Sequence, residues 1–320
     1  MLKKAKKIAL LGATSHIAKG IIFNFQERDA FYLHLYTRSA QKMKHFLDTF
    51  KMSNMGNFVI HQGYTEFTEN HYDVVINCVG VGTENKLKGD YSLYFTVTEE
   101  YDNLVIHYLR NINRRALYIS FSSGAVYGRG NSAPVEENSL NPIKVNHVTA
   151  QDYYAIARLN AEAKHRSLHG LNIVDLRVFS YFSRLIDLAD GYFITKVIDC
   201  ILKNKVFVTD NINMIRDYAN PKDLFRIIRK CMAVEQINCA FDVVSSKPVE
   251  KMEILNLFSS EYNLAYEVKN SLSHFSPTGL KHIYCSKYNK LKDIGFKPEF
   301  SSMDTIKNES KVILDSRLAT

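Results

Sequence analysis

Along the first 180 residues, short runs of β-branched and aliphatic residues alternate with amphipathic stretches. This is the pattern of a parallel sheet whose strands are buried on both faces and joined by crossover helices. The expected strands are Lys7 to Leu11, Tyr32 to Tyr36, Asn57 to Ile60, Asp73 to Cys78, Ala116 to Phe121 and Asn172 to Val178. Between them Ile17, Ala18, Ile21, Ile22 and Phe25 recur at helical spacing, as do Leu104, Val105, Tyr108 and Leu109. After Val178 the pattern loosens into a helix over Tyr192 to Leu202, a strand Val206 to Thr209, a helix Asp217 to Cys231 and a strand near Phe241 to Val244. The fold class is therefore α/β, a doubly wound parallel sheet with a smaller C-terminal lobe. Residues 1–178 with 215–246 are assigned to the sheet domain and 179–214 with 247–320 to the lobe. No repeat, low-complexity tract or Pro/Gly/Ser linker separates the two.

Composition narrows the function classes. The chain has 320 residues, 46% hydrophobic and 23% charged, with 14 Gly and 6 Pro, which excludes disordered and fibrous proteins. No run approaches the roughly 18 to 20 apolar residues of a membrane span, so no membrane association is expected. The formal charge of +8 favours anionic ligands. Beyond Lys3, Lys4, Lys6 and Lys7, however, the basic residues are scattered without interleaved aromatics, which argues against nucleic acid and for small phosphate-bearing molecules. Five cysteines form no C-x-x-C pair, and the histidines have no paired-ligand spacing, so reduced thiols and no metal are expected. The N-terminal lysines before Ile8 to Leu11 imitate a secretion signal. The run is short and has no cleavage site, so it reads as a first strand of a cytoplasmic protein.

Gly12-Ala13-Thr14-Ser15-His16-Ile17-Ala18 follows that strand and opens the first helix. There a glycine turn lets backbone N–H groups and the helix dipole meet a pyrophosphate, although Ser15 and Ala18 occupy the two later glycine positions. An ordinary tight turn is the other reading. The second strand ends in Thr37-Arg38-Ser39, so a cation stands where an NAD site would carry an acid on the ribose hydroxyls. Arg38 thus points to a 2′-phosphate and favours NADP(H), with NAD(H) as the alternative cofactor. Asn77-Cys78-Val79-Gly80 ends a buried strand in small residues across whose tip a nucleoside can lie.

A second constellation is more specific: Tyr118-Ile-Ser120-Phe-Ser122-Ser123-Gly124-Ala125-Val126-Tyr127-Gly128, then Tyr154-x-x-x-Arg158, Arg177-Val-Phe179, Arg216-Asp217-Tyr218 and Leu291-Lys-Asp-Ile-Gly295-Phe296-Lys297-Pro298. With the glycine turn, these motifs make nearly the whole chain resemble the extended short-chain dehydrogenase/reductase family, the NAD(P)-dependent epimerase/dehydratase type that acts on nucleotide sugars. The resemblance implies a Rossmann fold with cofactor contacts from Gly12, Thr14, Ser15, His16, Ile17, Arg38, Cys78, Val79, Gly80, Tyr154 and Arg158. It implies catalysis by Ser123, Tyr154 and Arg158, with Ser122 as the neighbouring alternative to Ser123. Substrate contacts fall to Ser123, Ser180 and Arg216, the last on the nucleotide diphosphate. The terminal motif is implied to pack the substrate lobe. A homodimer through the helices near Asp102 to Arg110 and Tyr153 to Arg166 is also implied.

Tyr154 and Arg158 are four apart on a helix and share one face, so the cation tunes the hydroxyl that passes a proton to the substrate oxygen. Arg158 stands where the family carries lysine, and a planar fork differs from an ammonium in reach and volume. Gly124 and Ala125 follow Ser123 where dehydratases of this type carry an Asp-Glu pair, so dehydration is not expected. The reading is an NADPH-dependent reductase of a nucleotide-diphosphate keto-sugar, a 4-keto-6-deoxyhexose, in surface polysaccharide or secondary-metabolite synthesis. The alternatives are an epimerase with retained NAD and, given Ser15, Ala18 and Arg158, an NADP-binding regulator without catalysis.

Overall fold

The computed structural model describes residues 5–25, 30–52, 57–82, 87–129, 131–270 and 282–318. The first half runs β1 (Lys6–Leu11), α1 (His16–Asn24), β2 (Phe31–Thr37), α2 (Ala40–Thr49), β3 (Phe58–Gln62), β4 (Val74–Asn77), α3 (Leu93–Asn111), β5 (Leu117–Ser123), α4 (Ala150–Ser167) and β6 (Asn172–Val178). The remainder runs β7 (Ser180–Tyr181), α5 (Phe193–Leu202), β8 (Phe207–Asp210), β9 (Ile215–Arg216), β10 (Tyr218–Ala219), α6 (Pro221–Cys231) and β11 (Asn238–Val243). It ends with β12 (Val249–Glu250), α7 (Lys251–Tyr262), β13 (Tyr266–Lys269), β14 (Ile283–Tyr284) and α8 (Ser302–Leu318).

Seven strands form one parallel sheet in the order β11-β6-β5-β4-β1-β2-β3. All seven residues of β5 are buried, as expected of a strand covered on both faces. Alternate residues of β1 supply the two covers. Ile8 and Leu10 pack with Ala18, Ile21 and Ile22 of α1, Met43 and Phe46 of α2 and Ile227 of α6, whereas Ala9 and Leu11 pack with Val105, Tyr108 and Leu109 of α3. The doubly wound sheet expected from the sequence is present. Its order reverses between β1 and β4, so a crevice opens at the carboxyl ends of these two strands.

Two details differ from expectation. The helix expected from Asp217 begins at Pro221, because Asn220 caps it with Pro221 in the first turn. Asp217 is instead buried, accepting the Ser245 N–H, while Tyr218 and Ala219 pair with β7. Leu291 and Phe296 of the terminal motif join the sheet's own core beside Ile227 and Phe241, not the separate core of α5, α7 and α8 built on Val197, Ile198, Ile254, Phe258, Ile306 and Leu314. Their side chains complete the apolar cover beside α6, which the resemblance did not convey.

A buried polar chain runs from the tip of β4 to the α3/α4 pair. Asn77 accepts the Val79 N–H and donates to Tyr118 Oη, which donates to Asp102. Asp102 meets His165 Nε2 at 2.6 Å, and His165 Nδ1 lies 2.9 Å from Asp175. Burial opposes charge on His165, but the two carboxylates outweigh it and raise its pKa to about 9.

Candidate active site

The turn after β1 is pressed against the tip of β4. Gly12 has φ +69°, and a Cβ there would stand 3.0 Å from the Cys78 carbonyl carbon and 3.1 Å from Val79 Cγ2, so only glycine fits. Ser15 caps α1, its Oγ accepting from Ala18 N–H, while Ala18 is fully buried against the sheet. The two departures from glycine therefore serve capping and packing. His16 Nε2 lies 2.7 Å from Ser183 Oγ, which ties the start of α1 to the segment after β7.

From this turn a cavity of about 1270 Å³ runs along the crevice to β9 and β14. Every sequence-predicted site residue lines it except Gly12 and Arg38: Thr14, Ser15, His16 and Ile17 at the start of α1, with Lys42 and His45 of α2 and Phe50 at its end beyond them, Cys78, Val79 and Gly80 along one wall, and Ser123, Tyr154, Arg158, Ser180 and Arg216 on the other side. Burial pushes the Cys78 thiol well up, so it faces the cavity as a neutral group.

Ser123, at the end of β5, accepts the Ala125 N–H and shares a 2.9 Å hydrogen bond with Tyr284 Oη. Ser122 is committed elsewhere: it donates to Glu162, which holds Arg177 through both carboxylate oxygens. Of the two serines, Ser123 is the one whose hydroxyl meets the cavity's other hydroxyls. Tyr154 projects from α4, which a Thr149–Asp152 capping box starts, and its ring packs on Tyr94. Its hydroxyl makes no hydrogen bond among the described residues. Arg158, one turn on, lies over the Tyr154 ring with its guanidinium carbon 5.4 Å from the centroid and donates to the Phe121 carbonyl at 3.1 Å. A Cβ at Gly80 would collide with Arg158 Nη2, so the glycine makes room for the broader cation.

Arg216 donates to the carbonyls of Ile215 and His282 and lies over the Tyr284 ring at 6.0 Å. It makes no ion pair among the described residues, and burial lowers its pKa. A half-buried cation without a carboxylate favours an anionic partner. Ser180, also on the wall, fixes its own strand end by donating its N–H to the Asp217 carbonyl.

The sequence did not flag Tyr284, whose burial pushes its phenol well up and which β14 sets in register beside Arg216. It also missed Tyr192, which reaches from the start of α5 to the Gly82 carbonyl across the cavity mouth. At the opposite end Arg38 is exposed and makes no ion pair among the described residues. Gln62 braces its loop, donating to the Arg38 carbonyl and accepting the Ala40 N–H. Among the described residues no group of three or more His, Cys, Asp or Glu side chains is set to hold a metal, and no helix is long and apolar enough to cross a membrane.

A model of the NAD dependent epimerase/dehydratase family matches residues 9–240. No curated protein matches the chain. Among solved structures, it is similar to the UDP-N-acetylglucosamine 4-epimerase of Methanobrevibacter ruminantium, with TM-score 0.82, 18% identity and coverage of 98% of this chain and 99% of that one. The UDP-glucuronic acid 4-epimerase of Bacillus cereus, solved with UDP-glucuronic acid and NAD, gives 0.79, 16%, 97% and 99%. The ADP-L-glycero-D-manno-heptose-6-epimerase of Helicobacter pylori gives 0.76, 14%, 97% and 96%. At these identities the likeness is one of fold.

Proposed function

Since the chain belongs to the NAD dependent epimerase/dehydratase family, we propose that it is an NADPH-dependent reductase of a nucleotide-diphosphate keto-sugar. One observation carries the reading: a single cavity gathers the unbonded hydroxyl of Tyr154, the Ser123–Tyr284 hydroxyl pair and the ion-pair-free guanidinium of Arg216. The cavity's size suits two nucleotides end to end.

The residues along the crevice fit a nicotinamide dinucleotide from the pyrophosphate onward. The Gly12 turn and the start of α1 offer backbone donors to the pyrophosphate, and the Gly80–Arg158 contact leaves a cation on the ribose side. When bound, the dinucleotide supplies the hydride. The protein does the rest. Tyr154 Oη gives the proton to the substrate oxygen, and Ser123 Oγ, held by Tyr284, donates a hydrogen bond to the same oxygen. Arg158 fixes the Tyr154 ring from its face and holds ribose. Arg216 receives the substrate diphosphate, which restores the counter-charge its surroundings lack. Arg38, a free cation at the end of β2, favours a 2′-phosphate and hence NADPH.

A second reading, a nucleotide-sugar epimerase with retained NAD, is supported by the family and by neighbours that are 4-epimerases, one solved with NAD. Incubation with a nucleotide-diphospho-4-keto-6-deoxyhexose and NADPH separates the two. A reductase consumes NADPH in proportion to sugar reduced. Interconversion of two nucleotide sugars with no net NADPH loss would replace the reductase by the epimerase. The same reading includes a homodimer through α3 and α4, where Phe95, Tyr153 and Ile156 are only half-buried. Sedimentation at the monomer mass of 36.8 kDa would remove it.

A further inference from the structure

On a doubly wound sheet the adenosine half of a dinucleotide runs from the first helix towards the end of the second strand, where its ribose is read. In this chain the side chain of Tyr64 lies on that path. Gly63, at φ +82° with open space where a Cβ would stand, turns the chain back after β3 and donates its N–H to the Thr37 carbonyl. Tyr64 then crosses the face of β2. Its ring stacks on Tyr36 at 6.1 Å and meets Tyr101 edge-on at 4.7 Å. Its hydroxyl faces the Gly12 backbone N–H, with Arg38 and Cys78 close by. Burial, with Tyr101 adding to it, pushes this phenol up to about 12, so a neutral hydroxyl stands there. Gly12, Thr37, Arg38 and Tyr64 do not line the open cavity, which passes from Thr14 to Gln41 and Lys42 of α2 instead.

We propose that Tyr64 is a specificity-determining gate: it fills the adenosine-ribose position between Gly12 and Arg38, and an adenine dinucleotide binds only when this side chain swings aside. The proposal rests on the dinucleotide reading above. Because the competent form is a fraction of the whole, apparent affinity for the dinucleotide is reduced by that fraction. A uridine or thymidine diphosphate at Arg216 lies beyond the gate and is unaffected.

The test is isothermal titration of the full chain with NADPH, with 2′,5′-ADP as the adenosine half alone, and with UDP, for the parent, Tyr64→Ala and Tyr64→Phe. Tyr64→Ala is expected to bind NADPH and 2′,5′-ADP about tenfold tighter, as for a gate closed about nine-tenths of the time, with UDP unchanged. Tyr64→Phe keeps the ring packing and loses only the hydroxyl at Gly12, so it is expected to tighten both by about threefold. It decides the matter if the alanine variant does not fold. Equal or weaker binding by the folded variants overturns the gate, weaker binding making Tyr64 a platform for adenine instead. If the parent and both variants bind UDP but neither NADPH nor 2′,5′-ADP, the dinucleotide reading fails and takes the gate with it, a result distinct from equal binding by all three.

Discussion

At the β5–α4 end of the crevice, polar groups are held without full partners: Tyr154 has an unbonded hydroxyl, and Arg216 has carbonyls but no carboxylate. At the β2–β3 end the backbone groups are met by side chains, the Gly12 N–H by the Tyr64 hydroxyl and the Arg38 carbonyl by Gln62, while the Arg38 side chain itself is exposed. Both ends belong to one sheet and share the tip of β4. A half-buried polar group left open invites a ligand, whereas one met by a neighbouring side chain makes a ligand compete.

The largest effect that can break this contrast is at Tyr154. Tyr154→Phe should lower turnover by about 10²- to 10⁴-fold while NADPH affinity is unchanged; steady-state rates beside a binding titration read it, and a retained rate would remove Tyr154 from the chemistry. Next, Arg216→Met should weaken UDP binding by about 10- to 100-fold, the worth of charge-assisted bonds to phosphate. Its unfolding midpoint should hold or rise, since an uncompensated cation has been removed. Unchanged UDP affinity would mean that the diphosphate lies elsewhere. At the β2–β3 end, Arg38→Ala should cut the ratio of NADPH to NADH affinity by about tenfold. A constant ratio would sever Arg38 from the 2′-phosphate.

The smallest effect concerns the strut beneath both ends. His165 has a folded-state pKa of about 9, above its ordinary 6.5. The contribution of its protonated ring is therefore fully present below about pH 6.5 and is lost as pH rises through about 9. The unfolding midpoint should fall by a few degrees between pH 7 and pH 10, and His165→Asn should be less stable but flat across that window. A parallel fall in the variant would assign the alkaline loss to other groups.

The sheet was legible because its strands are continuous apolar runs, and Gly12, Ser123, Tyr154 and Arg216 because their motifs are local. What escaped depends on contacts between distant segments. Tyr284 joins the candidate site through its pairing beside Arg216 and its bond to Ser123, neither of which leaves a trace in the residues around it. Tyr64 follows an unremarked Gln62-Gly63, and only the turn at Gly63 brings it over β2 towards Gly12. The choice between Ser122 and Ser123 was open in the sequence because both are polar and adjacent. Glu162, forty residues on, takes Ser122.

Whether one crevice holds a nucleotide sugar at Arg216 against a nicotinamide dinucleotide can be read from the thermal unfolding midpoint with UDP, with NADPH and with both, in the parent and in Arg216→Met. A ligand at a hundred times its Kd stabilises by about 2.7 kcal/mol, an easily read shift. Each ligand should raise the parent's midpoint, the two together should raise it further, and Arg216→Met should lose the UDP shift alone. No shift with either ligand, in protein free of bound nucleotide, or a UDP shift that survives Arg216→Met, would contradict this placement.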